Sequence, residues 1–326
     1  MKALVFAAGL VTASAALAET PVLTVYAPDY FVSEWGPGPG IETAFEAQCA
    51  CDLQFKPGDL LPRLLLEGPQ TQADVVIGLY TDVTRKARAS GLFAPHGQDL
   101  AALTLPISWS DDTFLPFDWS YVSLVYDETR LPVPPASFEA LADAPEDVKV
   151  ILQDPRSSES GLALVLWVKA VYGDRAGEIW QRLAPHVLTV TKGWSEAYGL
   201  FTDGEAPMVL SFSTSPAYHI AAEGDTTKKA AIFDEGHYAY VELAAKVSGT
   251  DQPELADAFM AFILSPAFQG LIPETNWSYP AALPRDAWPQ VFRDLPEPAK
   301  AIFLDEETAA GLRDEAIEEW RQALSQ

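Results

Sequence analysis

The chain has 326 residues, 11% of them aromatic, and a formal net charge of −25. That excess of acid repels phosphate and argues against a nucleic-acid partner, while it suits a cationic ligand; most of the charge is expected to be solvated surface. The length exceeds what one hydrophobic core usually serves, so two lobes are expected.

Residues 1–18, MKALVFAAGLVTASAALA, combine Lys2, a short apolar run and small residues up to Ala18. This is the pattern of a secretory signal peptide cleaved after Ala18. The first cysteine, Cys49, is far from that point, so no lipid anchor is implied and the periplasm is the expected compartment. Cys49 and Cys51 are the only cysteines. They admit a small-loop disulfide, two free structural thiols or one reactive thiolate.

PVLTVY (21–26) reads as a buried first strand. The Gly/Pro-rich loop that follows ends at a helix, IETAFEAQCA. Residues 60–67 form a second helix, ADVVIG (73–78) a strand and residues 84–90 another helix. Alternation of this kind predicts a mostly parallel sheet covered by helices. Two β-rich runs, 113–127 and 236–247, read as crossovers between lobes. Between them a second alternating unit is expected: a helix capped by Ser137, the strand KVILQD, the helix LALVLWVKAVYG, a helix around WSEAYGLFTDG and the strand PMVLSF. Residues 253–273 read as one amphipathic helix, Pro280 to Pro298 as an extended wrap and 305–326 as a terminal helix. The expected division is 19–118 for lobe 1, 119–240 for lobe 2, 241–283 for the return to lobe 1, and 284–326 for the wrap and last helix.

No G-x-S-x-G elbow, P-loop or dinucleotide fingerprint occurs, and the four histidines lack metal-ligand spacing. No catalytic residue, metal or cofactor is therefore expected. Binding chemistry stands out instead. Residues 192–220 gather Trp194, Tyr198, Phe201, Phe212 and Tyr218 among hydroxyls. Flat π faces beside short polar groups suit a planar or cationic small molecule. The loop DPRSSESG precedes an apolar helix, and its Ser158 serves either an anion or a plain N-cap. Trp277 sits in a loop, NWSYP, and Tyr30 and Trp35 follow the first strand, where ligands of open α/β sheets bind.

In chain order, PVLTVY, EWGPGP, DTFLPFD, QDPRSS, TVTKGWSEAYGLF, TSPAYHI, EGHY, SPAFQ and NWSYP resemble the thiamine-binding receptors of bacterial ABC importers, over nearly the whole chain. The resemblance implies an α/β, two-lobed type II periplasmic-binding-protein fold, each lobe a mostly parallel sheet flanked by helices, with the ligand in the interlobe cleft. It implies a periplasmic monomer that captures thiamine, and often its mono- or diphosphate, for a membrane permease. By position, Trp194, Tyr218 and Trp277 match ligand-contacting aromatics, and Ser158 matches a hydroxyl of the phosphate-side loop. Ser213, Thr214, Ser215 and Pro216 match the segment lining that end.

There are departures from the family pattern. Glu159 stands where a small hydroxyl residue is common, and Phe212 replaces a tyrosine. Pro28 replaces a stacking tyrosine, for which Tyr30 is the substitute. Gly58 and Asp59 match the family's acidic loop loosely. The competing readings are a same-fold receptor for a polyamine or ferric ion, and a thiamine-degrading enzyme using Cys49 or Cys51.

Overall fold

The computed structural model describes residues 20–325. The expected signal peptide lies outside the described residues. In chain order the strands are β1 (Val22–Ala27), β2 (Asp52–Pro57), β3 (Val75–Tyr80), β4 (Phe93–Ala94), β5 (Phe114–Asp127), β6 (Val150–Gln153), β7 (Val187–Thr191), β8 (Met208–Phe212), β9 (Lys228–Ala230), β10 (His237–Val247), β11 (Tyr279–Pro280) and β12 (Ala301–Ile302).

The main ladder runs β2-β1-β3-β10-β5-β8-β6-β7. β1 is parallel to β2 and β3, and β6 is parallel to β7 and β8. Each parallel group needs helical crossovers, which cover its faces. β5 joins the two groups. Its first part, Phe114 to Tyr121, pairs antiparallel with β10, and its remainder, Val122 to Tyr126, pairs antiparallel with β8. This long strand therefore belongs to both halves, and β10 returns the chain from the second half to the first. The fold is the two-lobed α/β architecture expected from the sequence.

Apolar residues on the strands alternate between two cores in the first half. Leu23, Val25, Val75, Ile77 and Phe117 meet Phe45, Phe259 and Phe268 on one face, while Tyr26, Val76, Phe114 and Trp119 meet Tyr279 and Phe292 on the other. The second half packs Trp167, Trp180, Phe138 and Leu210 together. The helix Glu159–Tyr172 is buried without a break from Ser160 to Lys169, because it lies between the sheet and the terminal helix Glu306–Leu324. Lys169 is tolerated there through ion pairs to Glu315 and Glu319 at 3.1 and 2.8 Å.

Some elements depart from expectation. The run 253–273 is three helices, Pro253–Ile263, Pro266–Gln269 and Ile272–Thr275. Pro266 and Pro273 sit at helix starts, where the missing N–H costs nothing, and Ser265 caps the second helix through Phe268 N. The Pro280–Pro298 wrap contains a short helix, Gln290–Arg293, that seats Phe292 in the core. A short helix, Asp29–Val32, precedes the one expected over IETAFEAQCA, which begins at Gly38, inside GPGPG, rather than after it.

Candidate functional site

Parallel strands present their carboxyl ends on one edge, and binding loops follow from there. In the first half these are the loops after β1, β2 and β3; in the second they follow β6, β7 and β8. The two edges face each other. The charge of Glu159, from the second half, acts on Tyr80 and Asp82 of the first and on Glu242 of β10.

One wall of this cleft is aromatic. Trp194 opens the helix Trp194–Thr202 and stacks on Tyr198, with ring centroids 4.7 Å apart. Tyr198 in turn stacks on His219 at 5.8 Å, and its hydroxyl bonds His219 Nε2 at 2.9 Å. Tyr218 meets His219 edge-on at 5.3 Å and Trp277 edge-on at 5.2 Å. Trp194 and Tyr218 remain 38% and 39% exposed, which leaves ring surface free for a ligand. Trp277 is half-buried and holds a φ of 53°, a left-handed conformation that a bulky residue adopts only when its surroundings enforce it. Asn276 bonds Asp118 on one side, and β11 pairs with β5 on the other. Tyr218 thus touches Trp277 directly. Trp194 is connected to that pair through Tyr198 and His219 rather than facing Trp277.

The hydroxyl run after β8 supports this wall. Trp194 Nε1 donates to Ser211 Oγ at 2.8 Å, and Ser211 bonds Ser215 at 2.8 Å. Thr214 bonds Ser120 of β5 at 3.0 Å, while Ser213 Oγ is buried without a partner. Pro216 is buried at the start of the helix Ser215–Tyr218. Ser211, backed by Ser215, holds the indole, whereas Thr214 ties the turn to β5.

Ser158 caps the helix Glu159–Tyr172 through Gly161 N and bonds Ser160 at 2.9 Å. The helix start presses onto β6: a Cβ on Gly161 would lie 2.5 Å from Gln153 O. Glu159 is exposed in that first turn. Asp59 is exposed between β2 and the helix Leu60–Glu67 and makes no side-chain cap bond. Pro28 lies against the backbone of Gly78, where an added Cβ would meet its ring at 2.5 Å.

The cleft has an acidic floor. Tyr30 donates to Glu242 of β10 and bonds the Tyr80 hydroxyl at 3.0 Å. Tyr80, Tyr240 and Phe212 form a run of rings spaced 4.7 and 5.0 Å. Glu242 lies opposite Asp118 in the β10–β5 register. Burial, with the Glu159 charge, pushes the Glu242 carboxyl up to about 7, against the hydrogen bond from Tyr30. Burial and the Glu242 charge hold Asp118 well above the usual carboxylate range. Burial also raises Asp82 to about 6, with Glu159 adding and Arg313 opposing. Burial holds the Tyr240 phenol well above its usual range, while Tyr30 is 43% exposed and reaches Glu242 and Tyr80 from the cleft side. Sequence reasoning had missed Glu242, Asp118 and Tyr80. The available signal was a lone acid within each apolar central strand, FLPFDWSYV and AYVELAA, where an unpaired charge is costly.

His219, Glu223 and Asp225 lie close enough together to suggest a metal site. Their donor atoms are already committed: His219 Nδ1 to Glu223 at 2.7 Å, Nε2 to Tyr198, and Asp225 to Thr227 and Lys228. Cys49 and Cys51 are joined in a disulfide, with Ala50 between them in a left-handed turn at the helix end. A hollow of about 490 Å³ beside β7, lined by Gln181, Pro185 and Leu324, lies away from both edges and holds none of these groups.

A two-lobed sheet with aromatic and acidic surfaces converging at its strand ends is the architecture of a solute receptor. The chain belongs to the bacterial extracellular solute-binding protein family, whose model matches residues 70–310. It is 48% identical to the thiamine-binding periplasmic protein of Brucella abortus over 307 residues, which is 93% of this chain and 92% of the relative. It is 47% identical to that of Escherichia coli K12 over 309 residues, 94% of each chain. A solved periplasmic thiamin binding protein superposes with a TM-score of 0.89 at 46% identity, covering 98% of this chain and 100% of that one. Iron-bound HitA from Pseudomonas aeruginosa shares the fold, with a TM-score of 0.74 at 19% identity and coverage of 93% and 99%.

Proposed function

We propose that this protein is a periplasmic receptor that captures thiamine and delivers it to the membrane permease of an ABC importer. The observation that carries the reading is the aromatic wall above buried carboxylates. Thiamine bears a permanent positive charge on a flat thiazolium ring. A cation against a tryptophan or tyrosine face gains about 0.5–2 kcal/mol, more when desolvated, and acidic surroundings steer it inward. Relatives covering more than nine-tenths of the chain, at 47–48% identity, carry the thiamine-binding name.

Trp194, Tyr218 and Trp277 are the proposed ring contacts, with Phe212 and Tyr30 at the acidic end and Ser213 to Pro216 behind them. The receptor acts as a monomer, without a cofactor and without chemistry of its own. The disulfide supports this, since it removes the only thiols a thiamine-cleaving mechanism would use. A polyamine lacks the flat ring that this wall fits, and in the His219, Glu223 and Asp225 group the histidine and Asp225 atoms are already bonded to neighbours.

Free thiamine is the preferred form. Ser158 spends its hydroxyl on the helix cap, and an ester phosphate near that cap would meet the charge of Glu159. Titrating the mature protein with thiamine, its monophosphate and its diphosphate while following tryptophan fluorescence tests both statements. Saturable quenching below micromolar thiamine is expected, with the esters about tenfold weaker through repulsion between their phosphate and Glu159. Absence of quenching would exclude the receptor function, and tighter ester binding would reverse the preference.

A further inference from the structure

The acidic floor does more than lend negative potential. Asp118 and Glu242 face each other on the two strands that join the halves, and they are 0% and 7% exposed. Asn276 Nδ2 bonds Asp118 Oδ2, and the same amide acts on the Glu242 carboxylate. Asp118 Oδ1 is fully buried without a partner. Tyr30 approaches Glu242 from the loop after β1, Tyr80 from β3, Tyr240 from β10 itself and Glu159 from the second half. Among the described residues, no lysine or arginine forms an ion pair with either carboxylate. Two buried acids without a counter-charge cannot both ionise at little cost, so the pair retains protons that exposed carboxyls would have lost.

We propose that Asp118 and Glu242 are a proton-holding pair that supplies the counter-charge for a cationic ligand, so that capture of the ligand expels a proton to solvent. The O–H bond of one carboxyl breaks, its proton leaves to water or buffer, and the carboxylate remains facing the cation. No other group changes oxidation or bonding. The inference rests on the thiamine reading above. It adds that affinity is linked to pH and that Glu242 determines specificity for charge. The raised carboxyl range of Glu242 agrees with this geometry. A cation beside it favours the ionised form and lowers its pKa. The sign follows: binding is strongest where Glu242 is already ionised, and weakens as pH falls below about 7.

Calorimetric titration of the mature chain with thiamine, in buffers of different ionisation enthalpy at about pH 6 and about pH 8, counts the protons exchanged. Release of close to one proton per thiamine at the lower pH and much less at the higher is expected, with affinity about tenfold weaker at the lower pH. In Glu242→Gln the release and the pH dependence disappear together; Asp118→Asn serves as a second variant should that protein fold poorly. Buffer-independent heats at both pH values, proton uptake, or a pH dependence that survives in Glu242→Gln would overturn the inference while leaving thiamine capture standing. Failure of thiamine to bind at either pH would remove the functional reading and this inference with it.

Discussion

The aromatic wall and the acidic floor differ first in how their residues lie along the chain. Trp194, Tyr198, Tyr218 and His219 come from one continuous stretch after β7 and β8, and only Trp277 is distant. The floor takes Tyr30, Tyr80, Asp118, Glu242 and Asn276 from five separate segments, and it exists only once β5 and β10 have paired. The two differ also in their physics. The wall attracts a flat cation through the exposed ring faces of Trp194 and Tyr218 and the half-buried Trp277. The floor attracts it through carboxyls whose charge depends on pH. Together they teach that one ligand charge is met twice, by a fixed contact and by a titratable one.

The largest expected effect of a single substitution on affinity breaks the wall alone. Trp277→Ala and Trp194→Ala should each weaken thiamine binding by about tenfold or more, roughly 1.4 kcal/mol or greater, with the pH dependence retained. Calorimetry at two pH values checks both parts. Unchanged affinity in both variants would place the ligand elsewhere, and a lost pH slope would mean that the two surfaces are not separable.

A second effect, on stability rather than on affinity, reads the floor without any ligand. Glu242 has a folded pKa raised to about 7, above the roughly 4.3 of an exposed glutamate. Its contribution to stability is therefore fully present below about pH 4 and is lost as pH rises through about 7. Asp82, raised to about 6, acts in the same direction. The free protein should melt at a higher temperature near pH 6 than near pH 8, and Glu242→Gln should recover on the order of 2 kcal/mol at the higher pH. Ligand affinity moves the opposite way with pH, so thermal melts with and without thiamine distinguish the two terms. A melting temperature that rises steadily from pH 6 to pH 8 would show that Glu242 is not held in its protonated form.

The same contrast explains how much was legible in the sequence. The strand and helix alternation and the two crossover strands follow from apolar runs punctuated by Gly and Pro, and these set the two-lobed fold. The wall was legible because its residues crowd one short segment. The stacking of Trp194 on Tyr198 and the role of Ser211 and Ser215 in holding the indole were not, since both depend on side-chain packing. β2 was missed because DLQFKP mixes Asp, Gln and Lys with only two apolar residues, and its strand state comes from pairing with β1. The run 253–273 reads as one helix by periodicity, yet two prolines at helix starts divide it. Asp118 and Glu242 carry no local motif. Their meaning lies in the register that places them opposite each other.

Charge recognition is the central claim, and comparing thiamine with an uncharged analogue of the same shape, in which carbon replaces the quaternary nitrogen so that the ring is a flat neutral thiophene, tests it most directly. Parallel calorimetric titrations at about pH 8 should show the neutral compound binding at least about thirtyfold more weakly, the equivalent of losing about 2 kcal/mol of cation–π and carboxylate attraction. Equal affinities for the two compounds would contradict the account, since neither the wall nor the floor would then be reading the positive charge.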